Sequence, residues 1–250
     1  MTTSSHAFHQ TFPAAFESGA RTFEADYLLF ASSGMFLLEV GDRQWLLPPQ
    51  RAALIAAGTV LSVRTRGPTM SSSVLFHEGE LGRLDAPCRI FAMSDLARLM
   101  TEHAMRWDRA HDAGPEAADF FRALAGVVSE LAAAPLETWL PLAQSRNLRR
   151  ACAHALAHLD ENIGAAALAG AAGLSERTLG RRARQELGMS LSEFLHRARM
   201  IKAMELLAAT SDSVTQIGLA AGFESTSSFI KAFRAFAGST PLRYRRLSAG

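Results

Sequence analysis

The sequence predicts an α+β protein in two parts: a small N-terminal β-barrel with following helices, then an all-α C-terminal domain of two helix-turn-helix units joined by a long helix. Three observations carry this. Between Tyr27 and Met93, short apolar runs alternate with turn residues. From Ser94 the apolar period becomes helical. Between about Ala165 and Arg246, a helix, a glycine turn and a second helix occur twice. The expected divisions are 1–93 for the barrel, 94–145 for a helical dimerisation or linker region, and 146–250 for the helical domain.

Seven strands are expected in the first part: Tyr27–Ser32, Met35–Val40, Arg43–Leu47, Arg51–Ala56, Val60–Thr65, Ser72–His77 and Arg89–Met93. Gly41-Asp42, Pro48-Pro49, Gly58 and Gly67-Pro68 punctuate them, and this spacing suits a small barrel or sandwich. Ser94 caps a helix reaching Arg109, with Leu96, Leu99, Met100 and His103 on one face. Gly114-Pro115 opens a second helix through Ala134, striped by Phe120, Leu124, Val127, Val128 and Leu131. Pro135 and Pro141 mark a junction, and a further helix covers Ser145 to Glu161.

The repeated segment begins with the small-residue helix Ala165–Ala172. Gly173-Leu174-Ser175 makes a sharp turn, and Ser175 caps a basic helix from Glu176 to Leu187. Ser190 and Glu193 form a capping box for a helix reaching Ala208, with Phe194, Leu195, Ala198, Ile201, Leu206 and Leu207 as its packing surface. A helix of ~18 residues is ~27 Å long. With its neighbours it can separate two recognition helices by about one DNA turn, ~34 Å. Ser213 and Gln216 box a third short helix through Ala221. Gly222-Phe223-Glu224 turns the chain, and Ser225 to Ala237 is the second basic helix, with Phe229, Phe233 and Phe236 inward. Ala172-Gly173 recurs 49 residues later as Ala221-Gly222, and the Gly188 turn recurs 50 residues later at Gly238.

Net charge is +2, but it is unevenly placed. From Arg146 onward stand 15 basic and 8 acidic residues; before it stand 11 and 16. A basic half of this kind marks a polyanion partner. With 48% hydrophobic and 20% charged residues the composition is globular. No apolar run reaches membrane-spanning length, and Met1 to Phe16 lack a signal-peptide pattern. Two cysteines, Cys88 and Cys152, exclude a disulfide framework and a four-cysteine zinc site, and suit the cytoplasm with inert thiols.

Leu168-Ala-Gly-Ala-Ala-Gly-Leu-Ser-Glu-Arg-Thr-Leu-Gly-Arg-Arg resembles the first helix-turn-helix of the AraC family of transcription regulators. Val214-Thr-Gln-Ile-Gly-Leu-Ala-Ala-Gly-Phe-Glu-Ser-Thr-Ser-Ser-Phe-Ile-Lys-Ala-Phe-Arg, closing on Pro241-Leu-Arg-Tyr-Arg-Arg, resembles its second half. Three departures stand out: Gly180 has no side chain at a base-reading position, Ala183 replaces a large core residue, and Leu191 replaces a proline. The resemblance implies double-stranded DNA as partner, with Arg177, Gly180 and Arg181 at base-reading positions and Arg182 and Arg184 beside them. In the second unit it implies Thr226, Ser227, Ser228 and Lys231 facing bases or phosphates, with Arg234 outside. The N-terminal strands have the flavour of the cupin-like sensor domain of that family, which implies a small-molecule effector, a homodimer through the following helices, RNA polymerase as partner if the protein activates, and no cofactor.

Two other readings compete. The barrel can be only an interaction module on a constitutive DNA binder, or a cupin-type enzyme with a DNA-binding tail. A metal-holding cupin needs convergent His and Glu ligands on its strands. The strand region has only His77 beside Glu78. His154 and His158 stand four apart with no third ligand apparent, and His103, His111 and His196 are isolated. No nucleophile elbow, phosphate loop or dinucleotide fingerprint occurs. The sequence therefore predicts a protein that is not an enzyme.

Overall fold

The computed structural model describes residues 4–48, 51–65, 67–108, 114–136 and 139–248. Pro49, Arg109 and His111, which entered the sequence reading, lie outside them. The chain divides into two compact units, Met1–Gly41 with Trp45–Glu137, and Asp42–Gln44 with Thr138–Gly250. No helix among the described residues is long and apolar enough to cross a membrane.

Among the described residues the chain opens with eight strands: β1 (His6–Phe12), β2 (Asp26–Ser33), β3 (Phe36–Val40), β4 (Arg43–Leu47), β5 (Arg51–Ile55), β6 (Leu61–Thr65), β7 (Thr69–Phe76) and β8 (Cys88–Ala92). Seven match the expected strands to within a few residues. β1 was not expected: His9, Gln10 and Thr11 stand in a row between Phe8 and Phe12, so the segment has neither an apolar run nor an alternation. It pairs antiparallel with β7, Phe12 lying opposite Thr69.

The strands do not close into the expected barrel. Among the described residues they form two sheets, one ordered β1-β7-β2-β5-β8 and another containing β6-β3-β4. A barrel needs one continuous ring of strand pairs, whereas β1 and β8 end the larger sheet. The reason lies in β2, β5 and β7, which bury long runs of consecutive residues and so have both faces covered. Leu28, Phe30, Leu54, Val74 and Phe76 join one core with Phe121, Leu124, Ala125 and Val128. The last four lie on α2 (Pro115–Ala132), which follows α1 (Asp95–Ala104).

The buried side of α1 also differs from expectation. Ser94 caps it, accepting from the Ala97 N–H at 3.2 Å. Ala97, Thr101 and Ala104 are buried, while Leu96 and Leu99 are 58% and 55% exposed. The two alanines let the helix approach closely, and the Thr101 hydroxyl is satisfied by donating to Ala97 O at 2.8 Å. On α2 the stripe packs on the sheet through Leu124 and Val128, with Phe120, Val127 and Leu131 half-buried.

The second unit contains β9 (Trp139–Pro141), α3 (Arg146–Ala157), α4 (Ala165–Ala172), α5 (Glu176–Leu187), α6 (Leu191–Ala209), α7 (Val214–Ala220), α8 (Thr226–Ala237) and α9 (Pro241–Ser248). α3 stops at Ala157, short of the expected Glu161, because His158 leaves the helical conformation. Both predicted capping boxes form, at Ser190 with Glu193 and at Ser213 with Gln216. α9 went unread as a helix. The Thr240 hydroxyl accepts from Arg243 N–H, and buried Tyr244 packs 5.5 Å from Phe233, centroid to centroid.

The repeat is also visible in packing. Leu179 and Ala183 fill the inner side of α5; Phe229 and Phe233, 50 residues on, fill that of α8. The larger rings need a smaller facing helix. A Cβ at Gly218 on α7 would lie 3.1 Å from the Phe229 ring. Phe236, expected inside, is half-buried. Both turns use a glycine at positive φ, Gly173 at 65° and Gly222 at 77°. Their surroundings differ. A Cβ at Gly173 meets nothing within 4 Å, whereas one at Gly222 would overlap the Leu159 carbonyl oxygen and lie 2.8 Å from Arg199 Nε.

Gly173→Ala is therefore expected to cost only the left-handed backbone strain, about 1–2 kcal/mol. Gly222→Ala adds a clash with backbone and is expected to cost at least ~1 kcal/mol more. Urea denaturation of the two variants checks the order; equal losses would overturn it.

Candidate nucleic-acid interface

Each basic helix is fixed from below by its own unit. In the first, Ser175 caps α5, accepting from Thr178 N–H at 3.3 Å. Leu179, Ala183 and Leu187 point inward. The opposite, exposed side carries Arg177, Arg181, Arg184 and Gln185. Gly180 lies beside them, half-buried, with open space where a Cβ would stand.

Arg182 turns away from that side and is half-buried, with its charge acting on Glu186. The Glu186 carboxylate accepts from Ser145 N–H at 2.7 Å and Gln144 N–H at 3.1 Å, at the start of α3. Burial alone would raise its pKa. The donors at Ser145 and Gln144, with the Arg182 charge, outweigh this and hold the carboxyl below its ordinary range. Glu186 thus ties α5 to α3.

In the second unit Ser225 caps α8, accepting from Ser228 N–H at 3.2 Å, and the Ser228 hydroxyl donates to Ser225 O at 2.9 Å. The Thr226 hydroxyl donates to Thr215 Oγ1 on α7 at 3.2 Å. These two hydroxyls are partly engaged within the protein. Ser227, Ile230, Lys231, Arg234 and Ala235 line a shallow, open concavity on the outer side of α8.

The 50-residue offset superimposes the two outer faces: Arg177 on Ser227, Gly180 on Ile230, Arg181 on Lys231, Arg184 on Arg234 and Gln185 on Ala235. Sequence reading passed over Gln185 and Ile230, although the offset from Gly180 points to Ile230. Among the described residues, Arg177, Arg181, Lys231 and Arg234 make no ion pair. Exposed cations left unpaired on one side of a helix suit a phosphate backbone.

The other chemistry-bearing residues are otherwise engaged. The His154 and His158 rings lie 4.4 Å apart, and His158 Nδ1 contacts His154 O at 2.8 Å. His77 Nδ1 lies 2.9 Å from Glu78 O. Among the described residues, no three His, Cys, Asp or Glu side chains form a group that could hold a metal. Burial pushes both thiols, Cys88 and Cys152, up to about 12, which keeps them un-ionised at neutral pH.

A family profile described as "Helix-turn-helix domain" matches residues 168–247. A transcriptional regulator from Chromobacterium violaceum, described as an AraC-type DNA-binding domain-containing protein, is 34% identical over 41% of this chain and 92% of its own, with a TM-score of 0.40. The chain belongs to the AraC family. The DNA-binding domain of AdpA, solved with a target DNA, is likewise 34% identical over 41% of this chain and 92% of its own, with a TM-score of 0.39. The transcriptional activator RhaS of Escherichia fergusonii is 36% identical over 89 residues, 36% of this chain. The match spans about a third of the length of that curated relative. The AraC-type likeness therefore rests on the C-terminal domain, where α5 and α8 lie.

Because Glu186 is held ionised in the folded state, its contribution is complete above its ordinary pKa of 4.5 and is lost as pH falls below that. Glu186→Ala is expected to cost about 1 kcal/mol at pH 7, the size of a lost helix cap. Urea titrations should show the gap from wild type closing as the pH is lowered beneath 4.5. A gap that stays constant down to pH 3 would contradict this role.

Proposed function

We propose that this chain is a sequence-specific transcription regulator that sets α5 and α8 into successive major-groove segments of one duplex. The observation that carries this reading is the duplicated helix-turn-helix with a basic, unpaired outer side on each copy. Arg177 and Arg181 are suited to guanine edges, which an Arg contacts through two parallel hydrogen bonds. Ser227 and Lys231 occupy the matching positions on α8. Arg184 and Arg234, one turn further along, suit phosphates, as do the capped N-termini of both helices. The Thr226 and Ser228 hydroxyls are partly engaged within the protein and suit phosphate contacts. Gly180 leaves room for the groove wall. Arg182 positions α5 through Glu186.

The first unit supports control by a small effector. Its interior includes small residues on neighbouring strands, with Ser71 opposite Ala31 and Ser73 opposite Leu29. Ser71 Oγ is buried with no hydrogen-bond partner among the described residues, and a buried hydroxyl of that kind costs about 1–3 kcal/mol unless a ligand group or water meets it. The exposed Leu96 and Leu99 on α1 are the surface on which a second copy would dock. RNA polymerase would be a further partner if the regulator activates.

Fluorescence anisotropy with labelled DNA from upstream of the chain's own gene tests the reading, against random competitor and across salt. Arg181→Ala and Lys231→Ala are each expected to weaken binding ~5- to ~150-fold, the range of about 1–3 kcal/mol per base contact. Own-promoter affinity no better than that of random duplex, with folded protein, would sink it. A thermal-shift screen tests the effector: a true ligand raises Tm by mass action, and that rise should shrink in Ser71→Ala.

A further inference from the structure

We infer that Arg199, in the middle of α6, is a positioning residue that fixes the spacing of the two recognition helices by clasping the two helix-turn-helix units together. The inference rests on the two-helix DNA-binding reading above.

α3 ends at Ala157, and the chain beyond it is not helical, so Leu159 O needs a donor from elsewhere, while Glu161 O accepts from Ile163 N–H at 3.0 Å and keeps a second lone pair. Arg199 meets both. Its Nε donates to Leu159 O at 3.0 Å and its guanidinium NH2 donates to Glu161 O at 2.8 Å. Both carbonyls belong to the chain that leads from α3 into α4, hence to the first unit. The second unit meets the same point. Gly222, in the turn before α8, lies so close that a Cβ would overlap Leu159 O and crowd Arg199 Nε. One turn of α6 earlier, the His196 ring packs edge-on against Phe223, 6.4 Å between centroids.

One guanidinium therefore joins three elements: the end of α3, the middle of α6 and the α7–α8 turn. The lever arms are short. Gly222 stands three residues before the cap of α8, and α5 is tied to α3 by Glu186. The first half of α6 packs through Phe194 and Ala198 into the core under α5, so rotation at this joint would swing α8 relative to α5. A bidentate guanidinium on two fixed carbonyls resists that rotation; a single ammonium or an apolar chain does not.

The test uses full-length protein and duplexes selected from a random pool by the wild type. Each is remade with one or two base pairs added or removed between the two contacted segments, and also cut to one segment. Wild type is expected to lose at least ~10-fold in affinity for each change of spacing, since the half-site separation is set by geometry. Arg199→Met keeps the stem but no donors. It should bind the selected duplex ~10-fold more weakly, bind the single segment like wild type, and hardly distinguish the spacings. Arg199→Lys should fall between, and it answers the question if the Met variant does not fold. Variants that discriminate spacing as sharply as wild type would overturn the clasp alone, as would an equal loss on single-segment and two-segment DNA. Wild type that selects no two-segment duplex would overturn the DNA-binding reading beneath it.

Discussion

The chain can turn between the two helices of each C-terminal unit only through a residue at positive φ, and the rest of the domain is arranged around that constraint. Gly173 and Gly222 supply it. Once the turn is made, the two helices cross closely, and their contact must be built from a small helix against a larger one. The first copy sets Ala169 and Ala172 beside Leu179 and Ala183. The second sets Gly218 beside Phe229. The same geometry is reached with different volumes, because what one helix gains in bulk its neighbour gives up. With the inner side committed to this packing, the polar residues of α5 and α8 are left outside. The basic faces are thus a consequence of the crossing as much as of the charge.

That separation gives the charge asymmetry its meaning. A net charge of +2 over the whole chain says little, and a cluster of arginines on a helix is often only a solvated side. Here Arg182 shows the difference between position and composition. It stands between Arg181 and Arg184 in sequence, yet it turns toward Glu186 and the start of α3. Its neighbours stay exposed. Of the arginines on α5, one serves the protein's own architecture and the others face outward.

Much of the C-terminal domain was legible in the sequence, because its signals are local. Ser175, Ser190, Ser213 and Ser225 each cap the helix they were expected to cap. A cap depends on a hydroxyl and three residues of chain, so nothing distant can override it. The N-terminal unit was legible strand by strand but not in closure or facing. Which strands pair, and whether the ring closes, depends on contacts far apart in sequence. α1 shows the same limit. Its large apolar residues Leu96 and Leu99 lie outside, and the small face of Ala97 and Ala104 lies inside. Periodicity weights a side chain by its hydrophobicity. Close approach to a sheet favours the side chain that is short.

The candidate site was legible as a set of positions, and the repeat is what refines it. Read alone, α8 is a helix with two cations and three small hydroxyl residues. Read against α5 at an offset of 50, it replaces Arg177 by Ser227 and the bare Gly180 by Ile230. The two faces then differ in reach. Long guanidinium stems on α5 can extend to base edges and phosphates from a distance, whereas Ser227 and Ile230 contact only what lies close to the helix. Ile230 also presents an apolar surface in a basic setting, the chemistry that meets a thymine methyl group. Under the proposed function the two copies would divide the work. α5 would read with charged hydrogen bonds, and α8 would read by close fit, which demands that it be held more firmly in place. The Phe229 and Phe233 rings, the Gly218 contact and the crowded turn at Gly222 all belong to α8's unit, so the tighter packing sits under the helix with the shorter side chains.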